Sequence, residues 1–316
     1  MTDLILAKYD KISTDIKYFY LRLISNFMKK KILIQYILLS PIIFLLTGCD
    51  MVLMNPKGVI GYEEKKLILI ALVLMSLIVI PVICITIVFA KKYSIYNNAI
   101  YKPNWAHSKK IEIICWSLPI IIIIILATIT YKSTYALDPY KPILINKKSI
   151  TIQVISSNWK WIFIYPEYNI ATINKIVVPI NIPITFKLTS SSVMNSFFIP
   201  ALGSQMYVMP GMQTKLNLIA NTAGNYKGFS SSYSGNGFSN MKFQFIAIQN
   251  INEFKKWIQT VQKSSLTLNN MEDFIKLLKF NQDINNVYYS KIYFNFYDNL
   301  MLMIKNKNHK YNFSNK

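Results

Sequence analysis

Two apolar runs dominate the first half of the chain: Leu67 to Phe89, 23 residues without a charge, and Ile113 to Tyr131, another 19. Each approaches the roughly 20 residues a helix needs to cross a bilayer. Pro81 and Pro119 fall inside these runs, where spanning helices tolerate proline better than soluble ones do. Beyond Tyr131 the pattern changes to period two. Ile150, Ile152 and Val154 alternate with Thr151 and Gln153, and Ile184, Phe186 and Leu188 with Thr185 and Lys187. Met241, Phe243 and Phe245 alternate in the same way with Lys242 and Gln244. Short alternating runs between Pro and Gly predict an all-β sandwich or barrel from about Ile143 to Gln249. From Asn252 the spacing turns helical, through Phe254, Trp257, Ile258 and Val261 and then Met271, Phe274, Leu277 and Leu278. These positions predict small helices covering the sandwich, with a disordered tail from Lys305 to Lys316.

A third apolar run, Ile32 to Leu46, is shorter, follows Lys29-Lys30-Lys31 and ends in Leu46-Thr47-Gly48-Cys49. A basic start, a short apolar core and small residues at the cut describe a secretory signal. The ending resembles the lipobox of bacterial lipoproteins, which implies lipidation of Cys49 as the mature N-terminus. The competing reading is an uncleaved third span with Cys49 as a buried thiol. Met28 followed by three lysines would be an ordinary beginning for such a signal, so translation is expected to start there. The expected organisation is an extension and signal over 1–48, a two-helix membrane domain over 49–135 and a sandwich over 136–250. An aromatic-rich helical segment over 251–304 and the tail over 305–316 follow.

Composition agrees with a membrane protein: 53% of the 316 residues are hydrophobic and 16% charged. Between the two spans, Ala90 to Glu112 carries Lys91, Lys92, Lys102, Lys109 and Lys110 against a single acid. The positive-inside rule puts this loop in the cytoplasm and everything after Tyr131 outside. The net charge of +21 does not signal nucleic acid, because only Arg22 among the 35 basic residues is arginine. The lysines accompany abundant Ile, Asn and Tyr, a bias that reads as codon drift, and no basic helix interleaved with stacking aromatics is present.

The outer part has a narrow chemical repertoire. Its one histidine is His309, in the tail, and it has no cysteine. Nucleophilic triads and the usual zinc or copper ligand sets are therefore excluded from the folded region. Its acids, Asp138, Glu167, Glu253, Glu272, Asp273, Asp283 and Asp298, show no pairing suited to acid/base work.

Two spans, a sandwich, and the motifs Trp159-Lys160-Trp161, Ser196-Phe197-Phe198-Ile199-Pro200, Gly203-Ser204-Gln205 and Pro210-Gly211 together resemble subunit 2 of the haem-copper terminal oxidases. The resemblance implies a cupredoxin fold. In cytochrome c oxidases that fold holds a dinuclear copper centre, with one histidine before a Ser-Phe/Trp stretch and a loop of form Cys-Ser-Glu-X-Cys-Gly-X-X-His-X-X-Met. On that pattern Asn195 stands at the first histidine, Ser230 and Ser234 at the cysteines, Ser232 at the glutamate and Phe238 at the second histidine. Among the positions so matched, Gly235 and Met241 are retained. Hydroxyl and phenyl groups cannot replace thiolate and imidazole toward copper, so no metal or cofactor is expected on this chain.

Such a loss resembles the ubiquinol oxidase branch of the family. It implies a non-redox subunit of a proton-pumping terminal oxidase, multi-pass and lipid-anchored in a bacterial inner membrane, with the sandwich in the periplasm. Haems and copper belong to partner subunit 1, ubiquinol is the substrate of the complex, and further small membrane subunits and lipid are partners. Cytochrome c is not: from Lys132 onward 20 lysines face 7 acids, net +13, which repels a cationic protein. Two side-chain groups complete the expectations. Trp159, Trp161, Phe163 and Tyr165 alternate onto one strand face, where electrons enter in copper-bearing relatives; here they are read as packing. Glu112, at the cytoplasmic start of the second span, matches a family glutamate associated with proton uptake; the plain alternative is a carboxylate stabilising a helix N-terminus. A cell-envelope lipoprotein with a β-sandwich binding module is the alternative function.

Overall fold

The computed structural model describes residues 52–94, 107–278, 287–293 and 295–314. The segment expected to be a signal, with Cys49, lies outside them. The first apolar run forms α1 (Val59–Lys92) and the second α2 (Lys109–Ala136), each continuous through its proline. Both expose apolar side chains along their length, as helices long and apolar enough to cross a membrane do. Hydroxyls along them bond back to the preceding turn, as Thr86 Oγ1 does to the Val82 carbonyl at 2.7 Å and Thr128 Oγ1 to Ile124 at 2.8 Å. These hydroxyls thus stay satisfied without water.

α1 begins eight residues before the apolar run because its first two turns dock on the sandwich. Lys57 N donates to the Ala201 carbonyl at 2.6 Å, Gly61 N to Leu202 O at 2.9 Å, and Asn221 N to Lys57 O at 2.8 Å. Ser204 Oγ donates to Glu64 Oε1 at 2.5 Å. The approach is close enough that a Cβ on Gly58 would stand 2.5 Å from the Ile219 carbonyl oxygen, so glycine is required there. On the α2 side, Asn217 Nδ2 donates to the carbonyls of Pro139 and Tyr140 at 3.1 and 3.2 Å.

The sandwich has two sheets. The first contains β1 (Ile150–Ser157), β2 (Lys160–Tyr165), β3 (Ile170–Ile173), β5 (Ile184–Ser190) and β8 (Thr214–Leu218), with β12 (Tyr288–Tyr289) added at its edge in the order β12-β3-β2-β1-β5-β8. The second contains β4 (Lys175–Pro179), β6 (Asn195–Phe198), β7 (Met206–Val208), β9 (Gly224–Ser230) and β10 (Lys242–Ile248), ordered β4-β10-β9-β6-β7. Antiparallel hairpins are joined by two parallel pairings, β1 with β5 and β10 with β4. The alternating positions read from the sequence, Ile152, Val154, Phe186, Leu188, Phe243 and Phe245 among them, meet in one core between the sheets.

The C-terminal segment covers the other face of the first sheet. α3 (Ile251–Gln262) inserts Phe254, Ile258 and Val261 into the inter-sheet core, while α4 (Met271–Leu278) and α5 (Phe296–Ser314) place Phe274, Leu277, Phe296, Tyr297 and Leu300 against Ile155, Ile162, Ile164 and Ile173. A two-residue parallel pairing of β11 (Thr267–Leu268) with β13 (Lys291–Ile292) ties this layer together. Strand β2 is consequently buried on both faces. The disordered tail expected from Lys305 is instead the continuation of α5 to Ser314. Its first turns are anchored by buried Phe296, Tyr297 and Leu300, no proline or glycine interrupts it, and extending a helix already nucleated costs little per residue.

Candidate functional site

The serine and glycine loop between β9 and β10 keeps its ends together by strand pairing: Ser230 N donates to the Met241 carbonyl at 3.0 Å, and Phe197 stands opposite Ser230 across β6 and β9. Asn195, Ser230 and Met241, 46 residues apart in sequence at the extremes, are thereby brought to one end of the sandwich, and all three are buried. Asn195 Nδ2 donates to Ser156 Oγ at 2.6 Å and its Oδ1 accepts from Ser230 Oγ at 3.1 Å. Ser230 Oγ in turn accepts from Ser196 N at 3.2 Å and lies 3.2 Å from the Ser232 carbonyl. Ser156 belongs to the first sheet and Asn195 and Ser230 to the second, so the network crosses the sandwich.

Ser232 enters through its backbone only, and Ser234 Oγ is buried without a hydrogen-bond partner among the described residues. Phe238 turns to Tyr233, ring centres 5.7 Å apart. The donors gathered here are one amide, the hydroxyls of Ser156 and Ser230 engaged with that amide, the unpartnered Ser234 hydroxyl and a thioether. They do not fit a copper centre, which calls for thiolate and imidazole. Among the described residues no group of three His, Cys, Asp or Glu side chains is placed to hold a metal.

The aromatic run divides in a way the sequence did not disclose. Trp161, Phe163 and Tyr165 are fully buried between the sheets, with Trp161 5.4 Å from Phe197 and 5.7 Å from Phe243. The Trp161 indole N–H points at the Met241 carbonyl, 3.4 Å away. Tyr165 Oη donates to the Val177 carbonyl and accepts from Val177 N, both at 3.0 Å, and burial holds its phenol far above the usual tyrosine range. Trp159 is not on the strand. It occupies the β1–β2 turn at φ 64°, a conformation unusual for a bulky residue. Its ring lies beneath the loop, where a Cβ on Gly237 would come within 2.2 Å and one on Gly235 within 2.8 Å. Gly235 itself has φ +124°. The tryptophan and the two glycines therefore define each other's positions.

Lys160, beside it, is 2% exposed, and burial lowers its pKa. Sequence reasoning gave it no role; the signal available was its place between two tryptophans in a strand with no other polar residue. At the opposite end of the molecule Glu112 lies in the first turn of α2, exposed, with Oε2 3.6 Å from His107 Nδ1. It is remote from the loop and shares no contact with it.

A pair of apolar helices of spanning length carrying a cupredoxin-like sandwich defines a class of membrane-anchored oxidase subunit. Residues 169–250 match the family model for the cytochrome c oxidase subunit II periplasmic domain. Across longer stretches the chain is 53% identical over 251 residues to a cytochrome bo(3) ubiquinol oxidase subunit 2 of Buchnera aphidicola, covering 79% of this chain and 84% of that one. It is 53% identical over 229 residues to the protein of the same name in Pseudomonas putida, covering 72% and 73%. With a ubiquinol oxidase subunit 2 of Acetobacter aceti the identity is 47% over 243 residues, covering 75% and 79%. The chain belongs to the ubiquinol oxidase subunit 2 family. These relatives favour the oxidase reading over an envelope binding module.

Proposed function

We propose that this chain is the non-redox subunit 2 of a proton-pumping terminal ubiquinol oxidase in a bacterial inner membrane. The observation that carries the reading is a hydrogen-bond network in which Asn195 and Ser230, the two residues that the resemblance aligns with copper ligands, bond to each other and, through Asn195, to Ser156. A chain that relays no electrons needs no metal there, and the amide of Asn195 is spent on the hydroxyls of Ser156 and Ser230. Quinol oxidation, oxygen reduction and pumping belong to the haems and copper of partner subunit 1. This chain clamps that subunit with α1 and α2 and caps its outer face with the sandwich, alongside small membrane subunits. Aromatic burial at Trp161, Phe163 and Tyr165 suits packing rather than electron entrance from a soluble donor, and the net +13 from Lys132 onward disfavours a cationic one.

Two finer assignments belong to the same proposal. Cys49 carries the lipid anchor, in which case the intact mass of the mature chain begins at Cys49. Glu112 takes up protons from the cytoplasm for the partner's reaction, so Glu112→Gln in an assembled complex lowers proton-coupled turnover; full retention removes the role. The deciding experiment is oxygen uptake by the complex purified through this chain, with ubiquinol or reduced cytochrome c as donor. Uptake with ubiquinol alone supports the proposal. Uptake driven by cytochrome c, or a preparation without haem, defeats it.

A further inference from the structure

Between the outer ends of α1 and α2 two cavities, of about 340 and 490 Å³, adjoin one another and share Leu67, Ser133 and Leu137 as walls. Both fall in the size range of small-molecule sites. The deeper one is mainly apolar, with Thr130, Ser133 and Thr134 among aliphatic residues such as Ile68, Leu126 and Ile129, and the outer one adds Glu63, Asp138 and Lys141. Exposed Tyr62, Tyr131, Tyr135 and Tyr140 surround this level of the molecule, and tyrosines of this kind mark the headgroup depth of a bilayer. The groove thus has an apolar stem at acyl-chain depth and a mouth of both charge signs at headgroup depth.

We infer that this groove is a binding site for one phospholipid with a primary-ammonium zwitterionic headgroup, of the ethanolamine type. The charges decide the class. Asp138 Oδ1 is held by the Tyr140 N–H at 3.0 Å, which orients the carboxylate and leaves its other oxygen to accept. Glu63 has only a loose exposed contact with Lys66 at 4.0 Å, a pair worth little. Two carboxylates match an ammonium with three N–H donors, and Lys141, in no ion pair among the described residues, matches the phosphate. An anionic headgroup would meet the two carboxylates with the wrong sign, and a quaternary ammonium would offer them no N–H. The site requires that both helices span a membrane, and it does not depend on which reaction the complex performs.

The test is native mass spectrometry of the full chain with whatever complex co-purifies, stripped of lipid and titrated with phosphatidylethanolamine, phosphatidylcholine or phosphatidylglycerol. The wild-type complex should retain one phosphatidylethanolamine, with phosphatidylglycerol retained at least about tenfold less. The double variant Glu63→Gln/Asp138→Asn should lose that preference, and Ser133→Trp, which fills the shared wall, should lower retention of every lipid. Subunit composition and any haem spectrum, read on the same samples, establish that the variants assemble. Equal retention of the three lipids by wild type, an unchanged preference in the double variant, or no retained lipid because a partner helix fills the groove would each overturn the inference. Acyl groups on Cys49 would be covalent and distinguishable by their persistence after organic extraction.

Discussion

Replacing Asn195 by alanine removes the bridge between the sheets at the loop end of the sandwich. The side chain makes two short bonds, 2.6 Å to Ser156 Oγ and 3.1 Å from Ser230 Oγ, and it is 1% exposed. A buried hydrogen bond contributes about 1 kcal/mol net, and each partner left unsatisfied costs about 1–3 kcal/mol. Ser230 Oγ keeps the Ser232 carbonyl and the Ser196 N–H, so it is only partly stranded; Ser156 Oγ loses its donor. The sum is roughly 2 kcal/mol, which multiplies the local opening equilibrium about 30-fold. Hydrogen exchange on the purified complex reads this directly. Protection should fall by that factor at the amides of Ser196 and Ser230, whose partners are the network itself and the Met241 carbonyl, and stay unchanged in α3. Ser231→Ala is the control: Ser231 is exposed and bonds to Ser196 Oγ and Gln205 at the surface. Protection within a factor of two of wild type in Asn195→Ala would refute the assignment of the network as the clasp of the loop.

Other perturbations have equally definite outcomes. Gly228→Ala would put a Cβ 2.1 Å from the Phe243 ring, in a core where Phe243 stacks on Phe197 at 5.0 Å; about 1–3 kcal/mol of overpacking should lower the denaturation midpoint. Trp161→Phe removes a weak 3.4 Å hydrogen bond and some packing, so it should lower stability while leaving ubiquinol-driven oxygen uptake nearly intact. A large loss of turnover in an assembled complex would contradict the packing role. Tyr165 has its pKa raised in the folded state. Its contribution is therefore complete below the ordinary tyrosine pKa of about 10 and is lost as pH climbs above that toward the folded value. Denaturant midpoints should fall with pH above about 10, less steeply in Tyr165→Phe, which is also weaker at neutral pH because the Val177 N–H and carbonyl lose their partner.

The spans and the sandwich were legible because each rests on a local period that burial imposes directly. Leu67–Phe89 has to be helical in lipid, and residues such as Ile152, Val154, Phe243 and Phe245 have to share one face. What escaped depends on contacts far apart in sequence. The eight polar-containing residues from Val59 join α1 because Leu202 and Ser204 receive them, and no hydropathy window contains that information. Trp159 was placed on a strand face with Trp161, yet the turn at φ 64° sends it under Gly235 and Gly237, some seventy-five residues later. Burial of β2 on both faces follows from α4 and α5, which return to it through contacts more than a hundred residues apart. The two-residue pairing of β11 with β13 is too short to leave any period.

What holds the path of the loop follows from the same geometry. A metal centre fixes a loop by joining distant donors at one point; here Asn195, Ser156 and Ser230 join β6, β1 and β9 by hydrogen bonds, while Trp159 fills the space beneath the two glycines. The clasp is polar and buried at one end, aromatic and half-buried at the other, and neither half is a ligand set. Small residues are required on the loop because the tryptophan is large, and the hydroxyls are required because the amide of Asn195 is buried between sheets with no solvent to satisfy it. Substituting one member without the others leaves either an orphaned polar group or a clash. The serine and glycine composition is therefore a packing solution for a loop whose two ends, Ser230 and Met241, are already fixed by strands β9 and β10.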